Sequence, residues 1–191
     1  MVNIGSGGSH NTPALVFREG RNVVEDYERK AQEYLSQVIL RLQNNGFKIT
    51  QDIKFKGYVF EYIARRRTFE MIKGWHETIF VSGRFPSLDF DGIRAFSATS
   101  FKYAEKARGI AALAGPVCWL ECYPAAMVET LAPQVAEAIR NTDPPKHWNG
   151  SEIPVVYSLA QKELYYYQTN PLWGQIYHEI FRQRIRDMLA P

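Results

Sequence analysis

The sequence is poor in cysteine and has no long hydrophobic run. Cys118 and Cys122 are the only cysteines among 191 residues, and both fall in a predicted strand. Positions four apart on a strand are separated by about 13 Å, whereas a disulfide needs Cα atoms within about 7 Å, so two buried free thiols are expected. No apolar run approaches the roughly 20 residues that span a bilayer, and Met1 to Pro13 has no apolar block of signal-peptide length. We therefore expect a cytoplasmic protein that does not associate with membranes.

Motifs of several large enzyme classes are also missing. The sequence has no phosphate-binding P-loop, dinucleotide-binding glycine fingerprint, nucleophile elbow, HExxH zinc-binding helix or calcium-binding loop. Its histidines and cysteines show none of the spacings of zinc fingers or metal-binding helices, so no resident metal or other cofactor is expected. Whether the chain is an enzyme stays open at this stage.

Aromatic residues, by contrast, are abundant. They make up 14% of the chain, and aromatic side chains bury large areas and favour sheets. A chain of this length forms one substantial core, and no linker divides it. The Gly- and Ser-containing stretch 1–13 predicts a flexible N-terminal tail, which leaves residues 14–191 as a single domain.

The hydrophobic pattern predicts an α+β fold in the order α-βββ-α-β-α-ββ-α, with packed helices around an antiparallel β-meander. Helices are predicted at Val23–Asn45, Phe90–Ile110, Ala125–Arg140 and Leu172–Leu189. Strands are predicted at Lys48–Lys56, Tyr58–Arg67, Glu77–Gly83, Val117–Tyr123, Ile153–Leu159 and Glu163–Gln168. Pro133 indicates that the third helix is either two shorter helices or one that begins near this proline.

Basic and aromatic residues cluster after the second predicted strand. Arg65, Arg66 and Arg67 are consecutive, and Trp75 and His76 follow shortly after them. Guanidinium groups could contact phosphates, although a net charge of +3 is well below that of a dedicated nucleic-acid-binding domain. The alternative is that these charges line a solvated sheet face.

Two further segments are candidates for binding. Pro144 and Pro145 stiffen a loop that presents His147 and Trp148, either for recognition or, in the case of the tryptophan, as an anchor to the core. The three consecutive tyrosines centred on Tyr166 must alternate between sheet faces. At least one is therefore expected to face outward, unless the last helix covers them.

The chemistry and the element order also permit a magnesium-dependent nuclease. Many such enzymes share a core topology in which a helix is followed by three antiparallel strands, a second helix and a fourth strand. They hold Mg²⁺ through carboxylates beside a lysine. The groups available are Glu61, Glu70, Lys73 and Glu77. Their spacing is poor, because Glu70 and Lys73 would point to opposite faces of one strand.

These observations favour a non-catalytic interaction protein that presents aromatic and basic surface to a macromolecular partner or to a second copy of itself. A protein partner is favoured over nucleic acid. The alternative is a divergent nuclease-like protein, with Mg²⁺ as its only cofactor, that cleaves or binds nucleic acid.

Overall fold

The computed structural model describes residues 14–70, 74–108, 118–169 and 175–191. The helices are α1 (Ala14–Asn44), α2 (Phe90–Ala107), α3 (Pro133–Asn141) and α4 (Gln175–Leu189). The strands are β1 (Lys48–Phe55), β2 (Tyr58–Glu70), β3 (Gly74–Phe85), β4 (Cys118–Val128), β5 (Lys146–His147), β6 (Gly150–Glu152), β7 (Val155–Ser158) and β8 (Glu163–Tyr166). The predicted tail, 1–13, lies outside the described residues.

All eight described strands belong to one mixed sheet. Its order is β1-β2-β3-β4-β6-β5, and β7 pairs with both β4 and β8. The first three strands form the predicted antiparallel meander, but β4 is parallel to β3, β6 and β7. Parallel neighbours require a crossover, and α2 lies in the connection from β3 to β4. The α+β class is thus confirmed, with a sheet that is mixed rather than wholly antiparallel.

Helices cover both faces of this sheet and create two hydrophobic cores. On one face, α1 and α4 pack through Leu35, Val38 and Ile185 against Tyr62 and other sheet residues. On the opposite face, α2 and α3 contribute a second set of buried residues. They include Ile93, Phe96, Phe101, Ala104, Ala136 and Ile139. The sheet is therefore the middle layer of three, and some of its charged side chains, such as Glu77 and Glu121, are buried between the layers.

The ends of several elements follow directly from the sequence. Gly46 follows the first helix with a positive φ of 78°, and the next amide, that of Phe47, donates back to the Leu42 carbonyl. Lys56 and Gly57 both have positive φ, as a two-residue hairpin turn between β1 and β2 requires. Asp89 caps α2 by accepting from the Gly92 amide at 2.7 Å, as its position predicted.

Other boundaries differ from the sequence prediction. The segment predicted as the first part of a helix, Ala125–Val128, instead extends β4, and α3 begins at Pro133. The helix predicted from Val23 begins nine residues earlier, at Ala14. Helix α2 is continuous from Phe90 to Ala107, and the short strand β5, which was not among the predicted strands, follows α3.

The hairpin predicted near the C-terminus is confirmed as β7 and β8. Cys118 and Cys122 are buried free thiols, as expected. Among the described helices, none combines the length and the apolar character that crossing a bilayer would require.

Candidate functional site

The largest exposed aromatic residues of the described chain lie at one end of the sheet. Phe69 of β2 pairs with Trp75 of β3, and Trp119 of β4 pairs with His76 of β3. Trp148 lies in the β5–β6 turn. The exposed fractions of Phe69, Trp75, Trp119 and Trp148 are 57%, 46%, 39% and 95%. Adjacent strands are about 4.8 Å apart, so the backbones of these residues lie within a few strand spacings. Side chains alternate along each strand, so Phe69 and Trp75 lie on the α2–α3 face of the sheet and Trp119 on the α1–α4 face. We call this group the tryptophan end.

Two local features shape the tryptophan end. Phe69 and Trp75 pack edge to face, with ring centroids 5.2 Å apart. Trp148 occupies a two-residue turn, since His147 pairs with Gly150, and its side chain stands almost wholly in solvent. The alternative that Trp148 anchors the loop to the core is therefore wrong.

Two of the three consecutive arginines hold a buried carboxylate beside this end. Glu77 is 0% exposed, and its carboxylate contacts Arg65, Arg67 at 3.4 Å and the buried Arg108 at 3.9 Å. A buried carboxylate must be compensated by partners of this kind. Three guanidinium groups face one carboxylate, so the cluster carries an excess positive charge, with Arg65 and Arg67 partly exposed at the surface.

Arg66 points to the other face of the sheet. Its guanidinium lies 4.6 Å from the centroid of the Phe47 ring and donates to the Asn45 carbonyl at 2.9 Å. Side chains alternate along a strand, which is why the middle arginine of three is separated from its neighbours. The basic run is thus divided between two faces.

His76, predicted as a surface binding residue, instead belongs to a largely buried ionic cluster. Its Nε2 lies 2.9 Å from Oε1 of Glu121, which is 4% exposed. Arg184 of α4 and the Tyr123 hydroxyl contact the other carboxylate oxygen. This cluster links β3, β4 and α4, so its evident role is to join layers.

His147 takes part in a second buried network. Its Nε2 lies 2.9 Å from Oε2 of Glu152, and the Ser97 hydroxyl donates to Oε1 of the same carboxylate at 2.6 Å. The imidazole stacks on Phe101 with ring centroids 3.7 Å apart. Glu152 is 3% exposed, so the histidine is held by a buried carboxylate.

This network lines an open cavity of about 410 Å³ between α2, α3 and the loop 142–145, which we call the α2–α3 cleft. Its polar lining includes Ser97, Asp143, His147, Glu152 and Tyr167. The Tyr167 hydroxyl donates to Asp143, and burial together with this hydrogen bond raises the pKa of Tyr167 to about 12. A second cavity of about 300 Å³ lies on the α4 side and shares the segment 143–147 and Glu152.

Tyr166 does not reach the surface. It is 8% exposed, Tyr165 is 4% exposed, and Tyr167 is 6% exposed. Tyr165 packs in the core beneath α2 and α3, and Tyr166 packs beneath α1 and α4, so helices cover both faces of β8. None of the three tyrosines faces outward, and Tyr166 follows the stated alternative, in which the last helix covers it.

The residues proposed for the nuclease alternative are distributed along the sheet. Arg67 pairs with Glu77 in register, and Glu61 lies six residues away along β2, which corresponds to about 20 Å. Glu61 instead contacts Arg84 at 3.0 Å, and Arg84 also binds Glu28 of α1. The backbone of Glu70 pairs with Gly74, and Lys73 lies outside the described residues. The described ranges contain no group of three or more histidine, cysteine or carboxylate side chains placed to hold a metal ion.

Sequence reasoning did not select Phe69, Trp119, Ser97 and Glu152 as site residues. The exposed fraction of an aromatic side chain at a strand end depends on which helices reach that end, and periodicity carries no such information. Ser97 and Glu152 are 55 positions apart and meet only through the packing of α2 on β6.

Comparisons with known proteins found no matching family, no significantly similar curated protein and no significantly similar solved structure.

Proposed function

We propose that the protein is a non-catalytic interaction protein that binds a protein partner through the tryptophan end. The observation that carries this proposal is the grouping of Phe69, Trp75, Trp119 and Trp148, all exposed, on neighbouring strands at one end of the sheet. Tryptophan and arginine are enriched among the residues that contribute most binding energy at protein interfaces. Scattered exposed apolar residues need no explanation, whereas several exposed aromatic residues at one end of a sheet, here on both of its faces, favour a binding surface that wraps around that end.

The charges beside the tryptophan end favour an acidic partner surface. Arg65, Arg67 and the exposed Lys146 contribute positive charge, and in the described part of the chain the carboxylate that contacts the arginine cluster is that of Glu77. The net charge of +3 is well below that of a dedicated nucleic-acid-binding domain, which makes a phosphate backbone the less favoured acidic partner. A protein segment with acidic and apolar side chains suits the tryptophan end better than a nucleic acid strand.

Photo-crosslinking from defined positions tests this proposal. A photoreactive phenylalanine analogue is placed at Trp148 in one variant and at Leu40 in another, since Leu40 is 59% exposed on α1 and lies outside the tryptophan end. After irradiation in extract of the native host, we expect a discrete protein adduct from position 148 and none from position 40. Adding Trp75→Ala to the position-148 variant should greatly reduce the yield of that adduct.

Three outcomes would contradict the proposal. One is equal crosslinking from both positions, another is an adduct unaffected by Trp75→Ala, and the third is an adduct that proves to be nucleic acid. Light scattering on the purified protein identifies self-association separately, because a second copy of the chain would then be the crosslinked partner. An adduct of two identical chains would narrow the proposal to a homodimer.

The magnesium-dependent nuclease stays a prediction from the sequence. It requires carboxylates that converge on a cation, but Glu61 and Glu77 are separated along the sheet. No observation on the described residues favours it over the interaction proposal. Plasmid cleavage that depends on Mg²⁺ and is lost in Glu61→Ala would reverse this preference.

A further inference from the structure

The α2–α3 cleft has the size and lining of a small-molecule site. Its volume of about 410 Å³ lies in the range of ligand pockets, and the apolar side chains that line it include Phe90, Ile93, Ile139 and Pro154. None of the residues of the tryptophan end lines this cleft. An occupant of the cleft would therefore add a binding activity to the proposed interaction function.

The polar groups of the cleft are carboxylates that retain acceptor capacity. The buried Glu152 accepts one hydrogen bond on each oxygen, from Ser97 and from His147, and each carboxylate oxygen has two lone pairs. Asp143 accepts from the Tyr167 hydroxyl through Oδ1. Both carboxylates can accept further hydrogen bonds from a ligand without losing their present partners.

Charge also favours one class of ligand. The lining holds two carboxylates, Asp143 and Glu152, against one guanidinium, Arg94, which gives a net formal charge of −1 when His147 is neutral. Arg94 is exposed at the rim, with its guanidinium 6.0 Å from the Phe90 ring centroid, whereas Glu152 is buried at the base. A charge interacts more strongly with a buried group than with an exposed one, so the carboxylate at the base should dominate selection.

The loop that forms the cleft is held in place before any ligand binds. Pro144 and Pro145 restrict its backbone, and the ring of His147 stacks on Phe101. Gly150, which pairs with His147, lies so close to β4 that an added Cβ would be 2.9 Å from the Leu120 carbonyl oxygen. A site organised in advance loses little conformational entropy on binding.

We propose that the α2–α3 cleft binds a small organic amine, in which an apolar body fills the cleft and a protonated amino group donates hydrogen bonds to Glu152 and Asp143. The aromatic rings of Phe90 and Tyr167 add surfaces that attract a cation. A charge-assisted hydrogen bond to carboxylate is about twice as strong as a neutral one, so the charge of the ligand should set the affinity.

Three probes of similar shape and different charge test this inference: phenethylamine, phenethyl alcohol and hydrocinnamate. Titrated into the full chain and followed by NMR, the amine should bind at least about tenfold more tightly than the alcohol, and hydrocinnamate most weakly. Glu152→Gln preserves the shape of the side chain and should reduce amine affinity by about tenfold while leaving the alcohol nearly unchanged.

Two further variants complete the test: one is a control for the loss of any carboxylate, and the other replaces Glu152→Gln if that variant does not fold. Glu137→Gln removes an exposed carboxylate from α3 and should change neither affinity. Asp143→Asn lies on an exposed loop, so it tests the same charge preference even if Glu152→Gln fails to fold. The inference would be overturned if the amine and the alcohol bound with equal affinity, or if hydrocinnamate bound more tightly than the amine. It would also be overturned if Glu152→Gln and Glu137→Gln had equal effects, or if no probe bound at millimolar concentration.

Discussion

At the scale of single residues, the buried carboxylates are what the sequence interpretation missed. Glu77, Glu121 and Glu152 are each less than 5% exposed, whereas the alternative given for the charges around Arg65, Arg66 and Arg67 was a solvated sheet face. Each is compensated by groups distant in sequence, such as Arg108 for Glu77 and Arg184 for Glu121. Periodicity identifies a face of a strand, but it cannot show that a helix later covers that face with a matching charge.

The Glu77 cluster leads to a stability prediction. Glu77→Ala leaves the buried Arg108 without its carboxylate, and breaking a buried ion pair costs about 3 to 5 kcal/mol. Because Arg65 and Arg67 are more than a third exposed and can be solvated, we expect a loss of about 3 kcal/mol in the free energy of unfolding, measured by urea denaturation. Glu33→Ala, which removes an exposed pair with Arg29, should cost at most about 1 kcal/mol. Equal losses would show that the buried cluster has no special role in stability.

At the scale of elements, most of the fold could be predicted. The regular spacing of Ala31, Leu35, Val38 and Leu42 predicted α1, and these residues are all buried on one side of that helix. The main error concerned Ala125–Val128, an apolar run without alternation. Such a run fits a buried strand or a buried helix equally well, because parallel strands are covered on both faces.

The start of α2 provides a prediction for a single element. Asp89→Ala removes the side chain that caps the Gly92 amide, and loss of such a cap costs about 1 kcal/mol. We expect the urea midpoint to fall accordingly, with an unchanged dependence on denaturant. Asp91→Ala, in the first turn of the same helix, keeps the cap and should cost no more than a few tenths of a kcal/mol. A larger effect for Asp91 than for Asp89 would contradict the assignment of the cap.

At the scale of the whole molecule, two helical layers bury an unusual number of phenols. Burial raises the pKa of Tyr27 and of Tyr167 to about 12, and it raises the pKa of Tyr34 and Tyr123 as well. The sequence indicated the aromatic content, but only the three-layer arrangement determines which phenols are removed from water.

These phenols should make the protein sensitive to alkali. The unfolded chain loses tyrosine protons near pH 10, whereas the folded chain holds them to higher pH. Above about pH 10 the unfolded state therefore binds fewer protons, and stability falls as pH rises. We expect a lower urea midpoint at about pH 11 than at about pH 9, with a smaller fall in Tyr167→Phe. A midpoint that stays constant or rises over this interval would contradict the burial of these side chains.

The central claim is that the tryptophan end is exposed in the free protein and covered in the bound one. Hydroxyl-radical footprinting with mass spectrometry tests it most directly, by comparing the purified protein with the protein incubated in native host extract. We expect Trp148 to be oxidised most readily in the free protein, and Trp75 and Trp148 to be protected in extract while Leu40 is unchanged. Equal oxidation of these tryptophans in both samples, or equal protection of Leu40, would contradict the account.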